Sequence, residues 1–157
     1  MELSKSSRHS KITGDFAESL VLYWLSKYGF ECAAVDHTGI DLIARNPQNN
    51  ELLGISVKSR SRNIGKESDS VSITNDNFEK AAEACKAFGC VPYFAIVVDA
   101  GDKITAFILS MAELEKIAPK GEKTCSWKMT AKYIEQYRAN PNIVVFEFHH
   151  QTHRWFA

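Results

Sequence analysis

The sequence predicts an α/β fold, and three features of its apolar pattern support this class. Apolar residues recur at three- and four-residue steps over residues 11–28, which is the period of an amphipathic helix. Short strand-like segments follow, and two longer apolar runs later flank a turn at Gly101 and Asp102. A helix, a group of strands, a second helix and further strands form an order typical of α/β proteins.

The first half of the chain is predicted to hold one long helix and a β-meander. The helix carries Ile12, Phe16, Leu20 and Trp24 on one face, and Gly29 follows it as a C-terminal stop. The last two strands of the meander are joined by RNPQNNE, whose Pro and Asn residues favour a turn. The three predicted strands cover residues 30–35, 40–44 and 52–58.

The second half is predicted to return to the sheet after an exposed loop. The polar stretch SRSRNIGKESDS favours a loop, and a helix over about residues 75–88 follows, capped by Thr74 or Asn75. The runs VPYFAIVVDA and KITAFILS predict a hairpin whose first strand is apolar enough to be central. The other predicted elements are a short strand at 71–73, helices at 111–117 and 130–137, and a last strand in NIVVFEFHH.

Length and composition limit the chain to one ordinary domain. Because 45% of the 157 residues are hydrophobic, residues 1–157 can bury a single core. We expect residues 1–10 to form a flexible N-terminus and residues 150–157 a tail. The 19 basic and 19 acidic side chains cancel, so any attraction for a polyanion has to come from local clustering.

Cysteine usage and the lengths of the apolar runs bear on the cellular location. The four cysteines form no CxxC pair and no secretory leader is visible, which favours free thiols in a reducing compartment over a zinc site. The run VPYFAIVV is far too short to cross a bilayer. We therefore expect a soluble, cytoplasmic protein with no membrane partner.

A small group of polar residues at the predicted meander is the candidate site. Ser56 and Lys58 are two residues apart on one strand, so their side chains point to the same face of the sheet. Asp41 begins the partner strand, and a hairpin would bring its carboxylate close to Ser56 and Lys58. Glu18, in the GDFAES segment of the first helix, joins this group if that helix packs on the same sheet.

Three segments of the chain together resemble a known enzyme superfamily. GDFAESLVLYWLSKYGF, GIDLIA and ISVKSR, within residues 11–62, resemble the PD-(D/E)XK nucleases, with the Holliday-junction-resolvase-like branch closest in helix, strand and spacing. The resemblance implies a restriction-endonuclease-like fold, in which helices flank a central mixed β-sheet. It also implies a metal-dependent endonuclease that acts on DNA phosphodiesters, with structured or branched DNA as one substrate class.

The resemblance assigns roles to individual residues of this chain. Asp41 matches the metal-ligating aspartate of the superfamily, Lys58 matches its lysine, and Glu18 matches the helical glutamate that several branches add. The main-chain carbonyl of Val57 is a further candidate ligand, for a weakly bound Mg²⁺ or Mn²⁺. Lys58 would orient an attacking water or offset charge in the transition state.

Ser56 departs from the superfamily pattern, because an acidic residue, or sometimes Gln, usually occupies this position. Two interpretations stay open: an enzyme in which another carboxylate replaces the missing ligand, and a catalytically inactive nucleic-acid-binding module of the same fold. Glu18 is the first candidate replacement, with Asp36 and Glu31 behind it. We expect Ser56 to lie near a strand end, where substitutions would be tolerated.

Basic side chains cluster directly after the motif and suggest contacts to DNA phosphates. Lys58, Arg60, Arg62 and Lys66 are interleaved with serines, and such residues commonly contact phosphates. A solubilising loop is the alternative interpretation. Lys5, Arg8 and Lys11 of the N-terminal region extend the basic patch. The sequence leaves open a homodimer in which two chains would cut two strands.

Each candidate site residue also has a purely structural interpretation. Asp41 follows Thr38 and Gly39 and could cap a turn, Lys58 could be a solvated strand end, and Glu18 could form a surface ion pair. His37 could act as a general base, but a histidine in a turn is more often exposed. The spacing of the C-terminal histidines fits no helical metal pair; they are His149, His150 and His153.

Overall fold

Four helices and eight strands are present in residues 4–154, which are the residues that the computed structural model describes. In chain order they are α1 (His9–Lys27), β1 (Glu31–Ala34), β2 (Leu42–Arg45), β3 (Leu52–Ser61), β4 (Val71–Thr74), α2 (Asn75–Phe88), β5 (Val91–Ala100), β6 (Lys103–Ser110), α3 (Met111–Ile117), β7 (Thr124–Trp127), α4 (Ala131–Ala139) and β8 (Val144–His149).

A six-stranded mixed sheet with the order β1-β2-β3-β5-β6-β8 is the centre of the fold. The strands β3 and β5 run parallel, and the other neighbouring pairs of this sheet are antiparallel. The crossover from β3 to β5 contains β4 and α2, as a parallel connection requires. β4 and β7 pair separately as a small antiparallel sheet. The predicted meander and the predicted hairpin at Gly101 are both present.

Each face of the central sheet is covered by a separate group of apolar side chains. On one face, α1 buries Ala17, Val21 and Leu25 against side chains such as Ile55 and Val97. The other face carries α2, α3, α4 and the small sheet, whose buried residues include Phe78, Leu114, Tyr137 and Trp127, packed around Phe94, Ile96 and Phe107. The central sheet therefore has helices on both sides, so it is largely shielded from water.

Two glycines let α2 approach the meander closely. A Cβ atom on Gly39 would lie 2.0 Å from the main-chain oxygen of Lys80, and one on Gly54 would lie 2.5 Å from the Cys85 sulfur. Neither distance can accommodate a side chain. The absence of a Cβ at these positions thus lets the middle and last turns of α2 lie directly against the meander.

The structure corrects two details of the predicted meander and adds one strand outside it. β3 continues to Ser61, so Ser56 lies in the middle of a ten-residue strand and Lys58 is not its last residue. Asp41 does not begin β2 but directly precedes it. The strand β7 was not predicted, because its four residues pair only with β4, which is remote in sequence.

The ends of the described chain lie beside the central sheet. The Lys5 ammonium donates a hydrogen bond to the Ser61 carbonyl oxygen at 2.6 Å, and the His150 N–H donates to the Asp102 carbonyl oxygen at 2.8 Å. Of the predicted flexible N-terminus and C-terminal tail, residues 1–3 and 155–157 lie outside the described residues. Among the helices of residues 4–154, none has the length and apolar character needed to span a bilayer.

Candidate active site

The Asp41 carboxylate is fixed at the point where β2 begins to pair with β3. The main-chain N–H of Asp41 donates to the Ile55 carbonyl oxygen at 2.8 Å, and its own carbonyl accepts from the Val35 N–H at 2.9 Å. Its side-chain Oδ2 accepts a hydrogen bond from the Val57 N–H at 2.7 Å. The side chain therefore takes the place of a main-chain acceptor, which holds the carboxylate rigidly against β3.

β3 has an open edge beyond Asp41. The pairing of β2 with β3 stops at Leu42 and Ile55, while β3 itself continues to Ser61. The N–H and C=O of one strand residue leave on the same side of the strand, so the Val57 carbonyl points to the side of Asp41. Beyond Ile55, β2 therefore does not cover this edge of β3.

Glu18 reaches this edge from α1. It follows the fully buried Ala17 and is itself partly buried. Burial raises the pKa of Glu18, and the negative charges of Asp41 and Asp15 and a side-chain hydrogen bond with Asp41 raise it further. The carboxyl groups of Glu18 and Asp41 thus lie close enough to interact, although they come from different elements.

Lys58 lies on the face of β3 opposite to α1, and it nevertheless interacts electrostatically with Asp41. Its Nζ donates a hydrogen bond to the Asn77 Oδ1 atom in α2 at 2.6 Å. Burial lowers the pKa of Lys58, and the positive charges of Arg60 and Lys80 lower it further, while the Asp41 carboxylate acts in the opposite direction. Asp41 therefore interacts electrostatically with both Glu18 and Lys58.

Ser56 is placed differently from the expectation drawn from the sequence. It is 3% exposed and lies beside Phe94 in the β3–β5 register, on the same face as Lys58. We expected Glu18 to face Ser56 and Lys58 from one side of the sheet. Instead, α1 packs on the face to which Ile55 and Val57 point, and Glu18 meets Asp41 at the open edge. The expected position of Ser56 near a strand end was wrong, because the residue is buried in the middle of β3.

The arginines of the predicted basic cluster bind main-chain carbonyl groups in β3, in β4 and in the loop between them. The Arg60 guanidinium donates to the carbonyl oxygens of Ser59 and Ser72 at 2.7 and 3.0 Å. The Arg62 guanidinium donates to the carbonyl oxygen of Ser70 at 2.7 Å. Both side chains thus help to hold residues 62–70 against the ends of β3 and β4.

The other predicted basic residues lie nearby on the surface. Lys11 pairs with Asp15 at 3.1 Å on α1, and Arg8 and Lys66 are exposed. Lys5 and Arg60 line a polar cleft of about 450 Å³, together with His9 and several serines.

A larger cleft of about 660 Å³ lies at the other end of β3. It is lined by residues such as Trp24 and Tyr93 and by none of the predicted site residues.

Several residues considered from the sequence lie away from the Asp41 edge. Glu31 is opposite Arg45, at the far end of the β1–β2 pairing, and Asp36 is exposed beyond β1. His37 accepts a hydrogen bond from the Gly39 N–H through Nδ1 at 3.2 Å. Near the C-terminus, His149 lies 3.5 Å from Glu147 and His150 lies 3.4 Å from Asp99.

Within residues 4–154, no three His, Cys, Asp or Glu side chains are grouped closely enough to hold a metal ion. A cation at the β3 edge would therefore be held by two carboxylates, those of Glu18 and Asp41, with the Val57 carbonyl as a third oxygen. Such a set suits Mg²⁺, which is commonly bound through one or two carboxylates and keeps several waters.

Asn77 is the site residue that the sequence did not reveal. It lies in the first turn of α2, 19 residues after Lys58, and its contact with that lysine depends on how α2 crosses the sheet. The segment TNDN is locally typical of a helix start, which accounts for an asparagine without any further role. No feature of the sequence alone distinguishes Asn77 from Asn75.

Comparison with known proteins gives a likeness in structure alone. No protein-family model matches the sequence, and no curated protein matches it either. The solved structures that match include Hjc, a Holliday junction resolvase from the archaeal hyperthermophile Archaeoglobus fulgidus. It is 19% identical, the match covers 78% of this chain and 88% of that chain, and the TM-score is 0.57. The predicted α/β fold of the restriction-endonuclease-like type is thereby confirmed.

Proposed function

We propose that this protein is a divalent-metal-dependent endonuclease of the PD-(D/E)XK type that cleaves DNA. The observation that carries the proposal is the meeting of the Glu18 and Asp41 carboxyl groups at the open edge of β3, within the electrostatic reach of Lys58. Two carboxyl groups this close repel each other when both are ionised, so the arrangement is unfavourable unless a proton or a cation is shared.

The residues at this edge fit a hard divalent cation. The Glu18 and Asp41 carboxylates and the Val57 carbonyl are oxygen donors, which Mg²⁺ and Mn²⁺ prefer. A bound cation would polarise a phosphoryl oxygen and lower the pKa of a coordinated water. Asp41 is already held by the Val57 N–H, so this ligand needs little reorganisation.

The side chain of Lys58 supplies positive charge next to the carboxylates. Its ammonium is partly buried, where a charge acts more strongly on a neighbouring phosphate than it would in bulk water. In this position Lys58 offsets negative charge that develops on the phosphoryl oxygens, or orients an attacking water. Ser56 is neutral and contributes no charge to the site.

DNA is the proposed substrate, and branched or otherwise structured DNA is the proposed preferred form. The Hjc protein of similar fold is a Holliday junction resolvase. Lys5, Arg60 and Arg62 lie near the far end of β3 from Asp41, and side chains of this kind contact phosphates. A homodimer would place two such sites on two strands.

A specific observation favours a second candidate, a DNA-binding module without hydrolysis. Ser56 occupies the position of the superfamily acid, and its side chain is buried beside Phe94 on the face away from Glu18. Glu18 therefore does not stand where the missing acid would stand. With one carboxylate fewer, the site would bind a divalent cation weakly.

The nuclease proposal is tested by replacing each of the two carboxylates with an amide of nearly the same shape. Asp41→Asn keeps an oxygen that accepts from the Val57 N–H, and Glu18→Gln keeps the side-chain volume. Each variant should lower Mn²⁺-dependent cleavage of branched and linear duplexes by more than about 100-fold. A loss of about 100-fold is the most that is usual when the residue removed only supports a metal ligand. Mn²⁺ affinity by calorimetry should fall in parallel, and DNA affinity should be largely kept. Glu79→Gln, on an exposed part of α2, is the matched control.

Wild-type protein that binds DNA but neither binds Mn²⁺ nor cleaves would favour the binding module. In that case Ser56→Glu should strengthen Mn²⁺ binding, whereas the neutral Ser56→Gln should not. Because Ser56 is buried, both variants should unfold at lower urea concentration than wild type. Absence of Mn²⁺ binding in both wild type and folded Ser56→Glu would leave the chain without a metal site.

A further inference from the structure

The contact between Lys58 and Asn77 has a defined polarity. An ammonium group has only hydrogen-bond donors, so the Asn77 side chain must present its oxygen to Lys58, which is how the two groups lie at 2.6 Å. The amide nitrogen of Asn77 then donates to the Thr74 Oγ1 atom, also at 2.6 Å. Thr74, Asn77 and Lys58 thus form a short chain of hydrogen bonds whose direction is fixed at the lysine.

Thr74 orients Asn77 instead of capping its own helix. Thr74 is the N-cap residue of α2 and has the extended backbone that a capping threonine adopts, yet its side chain makes no cap hydrogen bond. A threonine at this position usually accepts from the main-chain N–H three residues on, which here belongs to Asn77. Its oxygen accepts instead from the Asn77 side-chain amide. The end of α2 therefore gives up a stabilising contact and gains a fixed amide orientation.

The charges around Lys58 explain why a neutral acceptor suits this position. Asp41 before β2, Arg60 on β3 and Lys80 on α2 all act on the Lys58 amine, and two of the three are positive. The lysine side chain is long and rotatable, so a fixed acceptor limits where its ammonium lies. Asn77 does this without adding a negative charge that would compete with phosphate oxygens for the ammonium.

We propose that Asn77 is a positioning residue, held by Thr74, that fixes the Lys58 ammonium beside Asp41 at the open edge of β3. The first turn of α2 is thereby part of the site, although it contributes no metal ligand. The effect on DNA cleavage rests on the proposed nuclease function, whereas the effect on the Lys58 amine does not.

The decisive measurement is an NMR titration of the Lys58 amine in the full chain, assigned with Lys58→Arg. Asn77→Ala removes an acceptor that favours the charged form, so the midpoint should fall. Asn77→Asp places a negative charge at the same contact, so the midpoint should rise by about one pH unit or more. Thr74→Val, which removes the hydroxyl that orients the amide, should shift the midpoint in the direction of Asn77→Ala.

Asn75→Ala is the matched control, because Asn75 is an asparagine of the same helical turn that donates to the Gly121 carbonyl oxygen instead. It should leave the Lys58 midpoint unchanged. A merely structural role of Asn77 would move the midpoint in the same direction for Ala and Asp. That result, or no shift with either variant in protein that remains folded by its amide spectrum, would overturn the proposal.

Cleavage kinetics provide the second readout. Asn77→Ala should lower kcat for duplex cleavage about 10-fold while DNA affinity and Mn²⁺ affinity stay near wild type. A fall in DNA affinity with unchanged kcat would contradict a positioning role. If wild type does not cleave at all, the nuclease proposal fails, and the titration still decides the role of Asn77.

Discussion

At the scale of single residues, the site combines a rigid carboxylate with one in an unfavourable environment. Asp41 is held by the Val57 N–H and ends the pairing of β2 with β3, so it has a structural role in addition to its proposed role as a ligand. Glu18 lies on a helix, and burial together with the Asp41 charge raises its pKa.

The raised pKa of Glu18 predicts a pH dependence of stability. The folded state holds the Glu18 proton more tightly than the unfolded state, so the stabilising contribution is complete at low pH and is lost as the pH rises through the folded pKa. In metal-free protein, Glu18→Gln should therefore raise the free energy of unfolding near neutrality and change it little near pH 4. Urea unfolding across this range measures the difference.

The same urea unfolding experiment can be repeated with a divalent metal present. Because a cation between the carboxylates removes their repulsion, Mn²⁺ should stabilise wild type more than Glu18→Gln. Glu79→Gln gives the comparison for losing an exposed carboxylate. A Glu18→Gln variant whose stability follows wild type at every pH would show that Glu18 and Asp41 do not interact in solution.

At the scale of elements, the apolar period predicted most helices and strands. The helix α3 lies at 111–117 as predicted, and the β5–β6 hairpin turns at Gly101, which has a φ of +65°. Periodicity reports on contacts within a segment, so it carried no information on β7, whose pairing with β4 is remote. For the same reason it could not show that α1 and α2 lie on opposite faces of β3, which decides where Glu18 and Ser56 point.

Two glycine substitutions are predicted to change the free energy of unfolding in opposite directions. Gly39→Ala would place a Cβ 2.0 Å from the Lys80 main-chain oxygen, so the helix or the loop must shift, at a cost of about 1–3 kcal/mol. Gly14 lies within α1, and a Cβ added there would have no neighbour within 4 Å, so Gly14→Ala should stabilise by about 0.5–1 kcal/mol. Urea unfolding of both variants checks the signs, and a neutral Gly39→Ala would contradict the tight contact.

At the scale of the whole molecule, charge balance conceals a local asymmetry. The 19 basic and 19 acidic residues cancel, yet Lys5, Lys58, Arg60 and Arg62 all lie on or beside the second half of β3. The sequence predicted this cluster because most of it is local in the chain. It could not predict that both arginines also hold their loop through carbonyl oxygens, since that arrangement requires β4 to lie beside β3.

This asymmetry predicts a salt-dependent affinity for DNA that depends on the two arginines. Replacing Arg60 and Arg62 with Ala should flatten the slope of log affinity against log salt by about 0.9 for each phosphate that is no longer neutralised, and by two phosphates at most. The charge-preserving Arg60→Lys/Arg62→Lys variant should keep the slope, which separates charge from loop geometry. An unchanged slope in the Ala variant would assign the cluster to loop structure alone.

Because β3 pairs in parallel with β5, the order in which the chain is synthesised leaves β3 without this partner for a time. α1 and the meander leave the ribosome first, and β3 then has one side without a partner until α2 and β5 have been made. An unpaired ten-residue strand containing the run LLGISV is a template for aggregation during that interval. Lys58 and Arg60 lie on this strand, and charged side chains discourage pairing with other chains. The same cations that are proposed to serve DNA cleavage would thus protect the nascent chain.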